Sequence, residues 1–449
     1  MTTGLALLFP ILLAAGFTAV GETALRRRSE GLAGWNTSLV VGLGVCAALL
    51  FPFSILAPHA ALRWILYGMV LAVGAAVFRR TRHPADGSAP RLGPRDPAAL
   101  VLLLLAAAGG LVFAALNLRY NFLWDGFAIW ASKAQRLYVE GALTPAWYTG
   151  VTYDARYVSY PPAVPLYEAL VGILFGRFDF EGVKPLFLVF YASMVASTFS
   201  AVRAAASDKL AAGAAAMVVF VPALSTRWAA GAYADMPQAA LVAAVVAAAM
   251  RADERALPWL IGALTSVKPE GLVLASLAVA GVAMAVVLGP RPIRRAQLVG
   301  GAAIVAAFVV VRLAYLRWVA VRDDVYVFES IRLSARRVPT VARLCIEEML
   351  KVRGWGLLWP AFFTAAVLLL RRGEPKEKAL AAAVAAGAAV MAVPFLFTTW
   401  PLDLHIAQAY FRLLAQLAPA AVVSVVLGYA RARESLTETA PAARAPLEN

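Results

Sequence analysis

Apolar residues in this chain neither alternate nor form short patches; they run on for about twenty positions at a time. Runs of that length fall at 4–24, 36–57, 61–78, 98–118, 183–202, 231–250, 271–288, 296–316, 354–370, 379–397 and 411–429. Shorter runs at 163–175, 210–223 and 257–267 are expected as thin, tilted or re-entrant pieces. In lipid such a run is confined to a helix, because an open strand would leave its backbone N–H and C=O groups unpaired. The pattern predicts an all-α, polytopic membrane protein of about 11 to 14 helices.

Composition agrees: the chain is 62% apolar and 15% charged, with a mean hydropathy of +0.74, which excludes an ordinary soluble protein. A net charge of +15 would suggest nucleic acid in a soluble chain. Here the arginines concentrate in short loops, the usual topological bias of membrane proteins, so no nucleic-acid partner is expected. "RRRSEG", "RRTRHPADGSAPRLGPRDP", "RADER", "PRPIRR", "RRGEPKEK" and "RARES" are placed in the cytoplasm. That sets the N-terminus outside, the C-terminus inside, and residues 119–162, 224–236, 317–353 and 398–410 outside. Three apolar runs then lie between two outside points, so one of them is expected not to cross. The first run has its basic cluster after it and is not expected to be a cleaved signal. Cys46 and Cys345 suggest neither a disulfide framework nor a metal site. The stretch 79–97 reads as a linker, dividing three leading helices and their basic loop (1–97) from a membrane domain (98–429). A polar tail (430–449) is expected to be disordered.

Against this background a few polar points stand out. After the run 98–118 comes "YNFLWDGFAIWASKAQRLY". As a helix over 125–140 it places Phe127, Trp130, Ala131, Ala134, Leu137 and Tyr138 on one side. Asp125, Ser132, Lys133, Arg136 and Glu140 fall on the other. This predicts an amphipathic helix at the membrane interface, with Asp125 serving as a cap, a functional group, or both. "YADMPQ" puts Asp235 at the start of a long helix, with the same choice of roles. "SVKPEGLV" sets Lys268 and Glu270 around Pro269 and before Gly271, between two apolar runs. Charges there read either as a functional pair on a re-entrant turn or as a salt-bridged kink. "DLHIAQAYFR" spaces His405, Gln408 and Arg412 at i, i+3 and i+7, one face of a regular helix. Together these points predict a polar pocket opening beside the outer leaflet.

The ordered set "WDGFAIWASKAQRLY", "YVSYPPAVPLYEALV", "YADMP", "VKPEG" and "DLHIAQAYFRLLAQLAP" resembles the GT-C glycosyltransferases over about residues 98–420. It is similar to the bacterial protein-mannosyltransferase and aminoarabinose-transferase-like enzymes. Val158 and Ser159 precede Tyr160 where that family often has a histidine or acid, and Pro269 stands where asparagine is more usual. The resemblance implies a GT-C-like fold with a periplasmic juxtamembrane helix, in the bacterial inner membrane. It implies transfer of a sugar, with inversion, from a polyprenyl-phosphate donor to a glycan, lipid or protein acceptor. Asp125 is then expected as general base, with Asp235 and Glu270 orienting sugar hydroxyls, supporting Asp125, or sharing Mg²⁺ or Mn²⁺ with it. The alternative to a metal is that Lys268 neutralises these carboxylates, and no cofactor is firmly predicted. Arg412 leads the candidates for donor phosphate, ahead of Lys268 and Arg336 or Arg337. His405 would bind donor phosphate or acceptor, and Lys133, Tyr160 and Gln408 complete the expected substrate-binding set. The arginine-rich 317–353 segment would gather anionic membrane lipids or snorkel along the surface. From a different class, a transporter or flippase of a lipid-linked or anionic substrate is the alternative.

Overall fold

The computed structural model describes residues 3–26, 31–56, 96–140, 159–225, 227–289, 295–319 and 335–439. Every long apolar run except 61–78, which lies outside the described residues, is helical over most of its described length, and the described residues contain no strand. In order the main helices are α1 (Thr3–Leu25), α2 (Gly31–Leu56), α3 (Pro97–Arg119) and α4 (Ser132–Glu140). Next come α5 (Ala163–Phe175), α6 (Leu186–Arg203), α7 (Asp208–Phe220), α8 (Asp235–Met250) and α9 (Leu257–Leu264). The chain continues with α10 (Gly271–Leu288), α11 (Arg295–Val319), α12 (Val338–Met349), α13 (Leu358–Arg372), α14 (Pro375–Val390) and α15 (Phe411–Thr439). Among the described residues seven helices are long and apolar enough to cross a membrane, so the protein is an all-α polytopic membrane protein.

Two of these helices show what covers them. Only 17% of the apolar stretch is buried within the protein in Gly271–Leu288 and in Gln297–Arg317. Val287 and Val310 stand 82% and 63% exposed, a surface that only lipid would solvate well. At the other extreme α8 is the axis of the bundle. All its residues except Ala249 are buried, against α6, α9 and α15. Its alanines and valines let those neighbours approach closely, which is how helices gain packing energy where lipid supplies no hydrophobic drive.

Two glycines bring the polar segments together. A Cβ on Gly126 would sit 2.4 Å from the carbonyl oxygen of Gly231, and one on Gly271 would sit 1.8 Å from that of Leu264. The first contact presses the start of the surface helix against the loop before α8. The second folds the 265–270 turn onto the end of α9. Asn117 Nδ2 also donates to Ala230 O at 3.2 Å, tying α3 to the same loop. At the end of α3, the buried Lys184 ammonium donates to the carbonyl of Tyr120.

Two expectations change. The segment after Asp125 begins not as an α-helix but as a π-helical turn, Gly126–Ala131, before α4. Such a turn inserts a residue and rotates the faces. Trp130, Ala131, Ala134 and Leu137 pack inward, Phe127 is exposed, and Lys133, assigned to the polar side, is buried. The tail does not lose its structure near residue 430, because α15 runs on to Thr439. Arg431 holds that end, donating to both oxygens of the fully buried Glu377 at 2.9 and 2.8 Å and to Glu434 at 2.9 Å. Residues 440–449 lie outside the described residues.

Candidate functional site

Asp125 and Asp235 both sit where a capping role was open, and neither caps. Asp125 has helical backbone angles (φ −66°, ψ −38°) and makes no side-chain bond to the turn it precedes. Ala234, not Asp235, occupies the cap of α8. Both carboxylates turn instead to Arg412 on α15. Arg412 Nη1 donates to Asp125 Oδ2 at 2.5 Å and Nε donates to Asp235 Oδ2 at 3.0 Å. The guanidinium carbon lies 4.5 Å from the ring centroid of Tyr233, so its face is covered as its edge is paired.

Asp235 continues the network. Its Oδ1 accepts from Lys268 Nζ at 2.7 Å, and the same ammonium lies 2.6 Å from Glu270 Oε1. Gln416 bridges the pair, with Nε2 2.9 Å from Asp235 Oδ1 and 2.7 Å from Glu270 Oε1. Gln416 was not singled out in the sequence. The available signal was its place four residues after Arg412, one turn along the same face. Residues spread over 125–416 thus converge in one knot, with three carboxylates held by Arg412, Lys268 and Gln416. Of the carboxylates Asp125 is the most open, its side chain 22% exposed against 11% for Asp235 and 16% for Glu270.

The other expected residues divide. The His405–Gln408–Arg412 face does not exist, because a π-helical turn, Ile406–Tyr410, interrupts the regular spacing. His405 is buried, its Nδ1 2.6 Å from Thr398 Oγ1 and its ring between Phe395 and Trp400. Gln408 is exposed. Arg336 is exposed, and Arg337 donates to the carbonyl of Thr398 at 2.9 Å, bracing the His405 turn rather than joining the knot. Residues 320–334 of that arginine-rich segment lie outside the described residues. A divalent cation shared by the three carboxylates, one of the roles open to them, does not fit this donor set. The facing oxygens of the three carboxylates are spanned by Arg412, Lys268 and Gln416, and no metal-holding cluster of three such ligands occurs among the described residues.

Lys133 and Tyr160 form a second polar group beside the knot. Lys133 is 3% exposed, with Nζ 5.9 Å from the ring centroids of both Trp130 and Tyr160. Burial, with the charge of Arg312 near it, holds the Lys133 ammonium down at about 7. The unfolded chain therefore binds more protons than the native one between pH 7 and about 10. Stability relative to Lys133→Met should be lowest below pH 7 and rise through that window. Thermal unfolding of both proteins in one detergent across the range measures this, and a flat difference would refute the lysine's buried, strained state.

A half-open apolar groove of about 590 Å³ runs between α8, α10 and α14 towards the knot. Its lining includes Val242, Leu264, Leu274, Val282, Ala379 and Leu417. Leu274 stands one turn from Glu270, whose carbonyl accepts its N–H at 3.0 Å, and Leu417 follows Gln416. Glu254 and Lys376 line the groove's other end. No protein family, curated protein or solved structure matches this chain.

Proposed function

We propose that the protein is an inverting glycosyltransferase that moves a monosaccharide from a polyprenyl-phosphate donor to an acceptor hydroxyl. The reaction takes place at the periplasmic face of the bacterial inner membrane. The observation that carries this reading is the convergence of Asp125, Asp235, Lys268, Glu270 and Arg412, five charged groups from four separate segments of the chain, at one point among apolar helices. Charges in apolar helices are retained chiefly where they pair and line a working cavity. The ordered motifs resembling GT-C enzymes supply the reaction class, and the groove ending beside Glu270 and Gln416 offers room for part of an isoprenoid chain.

In the reaction, the acceptor oxygen bonds to the anomeric carbon as the bond from that carbon to the phosphate oxygen breaks. The hydroxyl proton passes to Asp125, and polyprenyl phosphate departs with the bonding electrons. Phosphate is already a good leaving group, so no second carboxyl acid is required of the kind glycosidases use. Asp235 and Glu270, held by Lys268 and Gln416, fix Arg412 and through it Asp125. The acceptor is a glycan, lipid or protein hydroxyl.

Incubating the purified protein with a panel of polyprenyl-phosphate sugars should release polyprenyl phosphate and form a new glycosidic bond, both visible by mass spectrometry. Movement of intact donor across sealed vesicles, with no bond formed from any donor, would overturn this reading in favour of a transporter.

A further inference from the structure

Arg312 lies within the apolar helix α11, 5% exposed, and its Nε and Nη1 have no hydrogen-bond partner among the described residues. A guanidinium desolvated with two of its three nitrogens unpaired is an expensive arrangement unless an anion completes it. Its neighbours are aromatic and cationic. The Arg312 guanidinium carbon lies 5.5 Å from the Tyr315 ring centroid. Tyr315 donates its hydroxyl to the carbonyl of Tyr160 at 3.2 Å, and the Tyr160 ring in turn lies under Lys133. Two buried cations therefore flank one tyrosine pair. Glu270 is within electrostatic reach of Arg312, but its Oε1 already accepts from Lys268 and Gln416.

The charge balance points the same way. In the knot three carboxylates face Arg412 and Lys268, leaving an excess of one negative charge. Adding Arg312 and a protonated Lys133 turns that into an excess of one positive charge, which a singly charged phosphate ester would cancel. A bound phosphate would itself favour that protonation, since an opposite charge raises the lysine from about 7. Arg412 and Lys268, the cations first expected to hold phosphate, are already committed to carboxylates. A recess of about 20 Å³ beside Arg312, bordered by Pro161, Pro162, Thr265, Ser266 and Tyr315, has room for one water-sized group. It would take a phosphate oxygen, not a sugar ring.

We propose that Arg312 and Lys133 form the site that grips the phosphate of a membrane-borne lipid, next to the Asp125–Arg412–Asp235 knot and separate from it. This rests on the reading of the donor as a lipid phosphate. Arginine's fork suits phosphate oxygens, and the aromatic walls exclude competing water.

The test uses the full chain in lipid nanodiscs and a short-chain polyprenyl phosphate that carries no sugar, with inorganic phosphate as a second probe. Arg312→Gln and Lys133→Gln should each weaken lipid-phosphate binding roughly 10- to 100-fold, with Arg312→Lys losing less. Because no hydrogen bond to Arg312 Nε or Nη1 is broken, Arg312→Gln should keep or raise the unfolding temperature; a merely structural arginine would lower it. Binding by Arg312→Gln within about twofold of wild type, or no lipid-phosphate binding by wild type, would overturn the proposal. Inorganic phosphate binding as tightly as the lipid would overturn the assignment to a lipid head group. No sugar is transferred in this assay, so its failure is distinct from failure of the proposed transfer reaction.

Discussion

Asp125→Asn should fold as the wild type does and lose transfer by about 10²-fold or more, the contribution expected of a general base. The choice of Asp125 over its two neighbours follows from what each oxygen already does. Both oxygens of Asp235 are taken, Oδ1 by Lys268 and Gln416 and Oδ2 by Arg412. Glu270 receives Lys268 and Gln416 at one oxygen. Asp125 accepts from Arg412 at Oδ2 and is the most open of the three, so an acceptor hydroxyl could approach it. Asparagine retains a carbonyl oxygen for Arg412 but cannot take a proton at neutral pH. The measurement is turnover with saturating polyprenyl-phosphate sugar, beside thermal unfolding in the same detergent. Turnover equal to wild type would remove the base from this position. A fall in turnover together with collapse of the fold would make Asp125 a structural partner of Arg412 instead.

The membrane architecture was legible because it rests on composition alone. Twenty apolar residues have one way to satisfy their backbone in lipid, so the helices over 98–118 and 271–288 fall where the runs do. Charged residues in or beside such runs carry much of the site for a related reason, since their desolvation demands partners. Asp125, Asp235, Lys268, Glu270 and Arg412 found those partners in one another. Local winding was not legible. The π-helical turns at Gly126–Ala131 and Ile406–Tyr410 each insert a residue, and a wheel drawn at regular spacing then assigns the following faces wrongly. This buries Lys133 and separates His405 and Gln408 from Arg412. Arg312 was hidden differently. It interrupts an otherwise apolar run near a helix end, where an arginine usually reads as a snorkelling anchor, and only the packing of Tyr315 and Tyr160 shows that it points inward.

Asp235→Ala should damage the protein more than any other single change in the knot. Asp235 joins three elements, receiving Lys268 from the turn before α10 and both Arg412 and Gln416 from α15 while standing on the central helix α8. Polar contacts between membrane helices average only about 0.6 kcal/mol, because the unfolded chain in lipid also finds partners. Loss of three hydrogen bonds would then be tolerable. The larger effect is on the buried cations, each of which loses one of its two carboxylates: Lys268, with 5% of its side chain exposed, keeps Glu270, and Arg412 keeps Asp125. Removing the sole partner of a buried charge costs about 3–5 kcal/mol. With Glu270 and Asp125 still in place the expected loss is about 1–3 kcal/mol, still a sizeable part of a typical margin of about 5–15 kcal/mol. The two explanations separate in a cycle. If stranded charge dominates, Asp235→Ala combined with Lys268→Met should recover most of the loss, since the remaining Glu270 can still receive Gln416. If hydrogen bonds dominate, the double variant should be worse than either single one. Unfolding temperatures of the four proteins in one detergent decide between them, and an Asp235→Ala variant as stable as wild type would refute both.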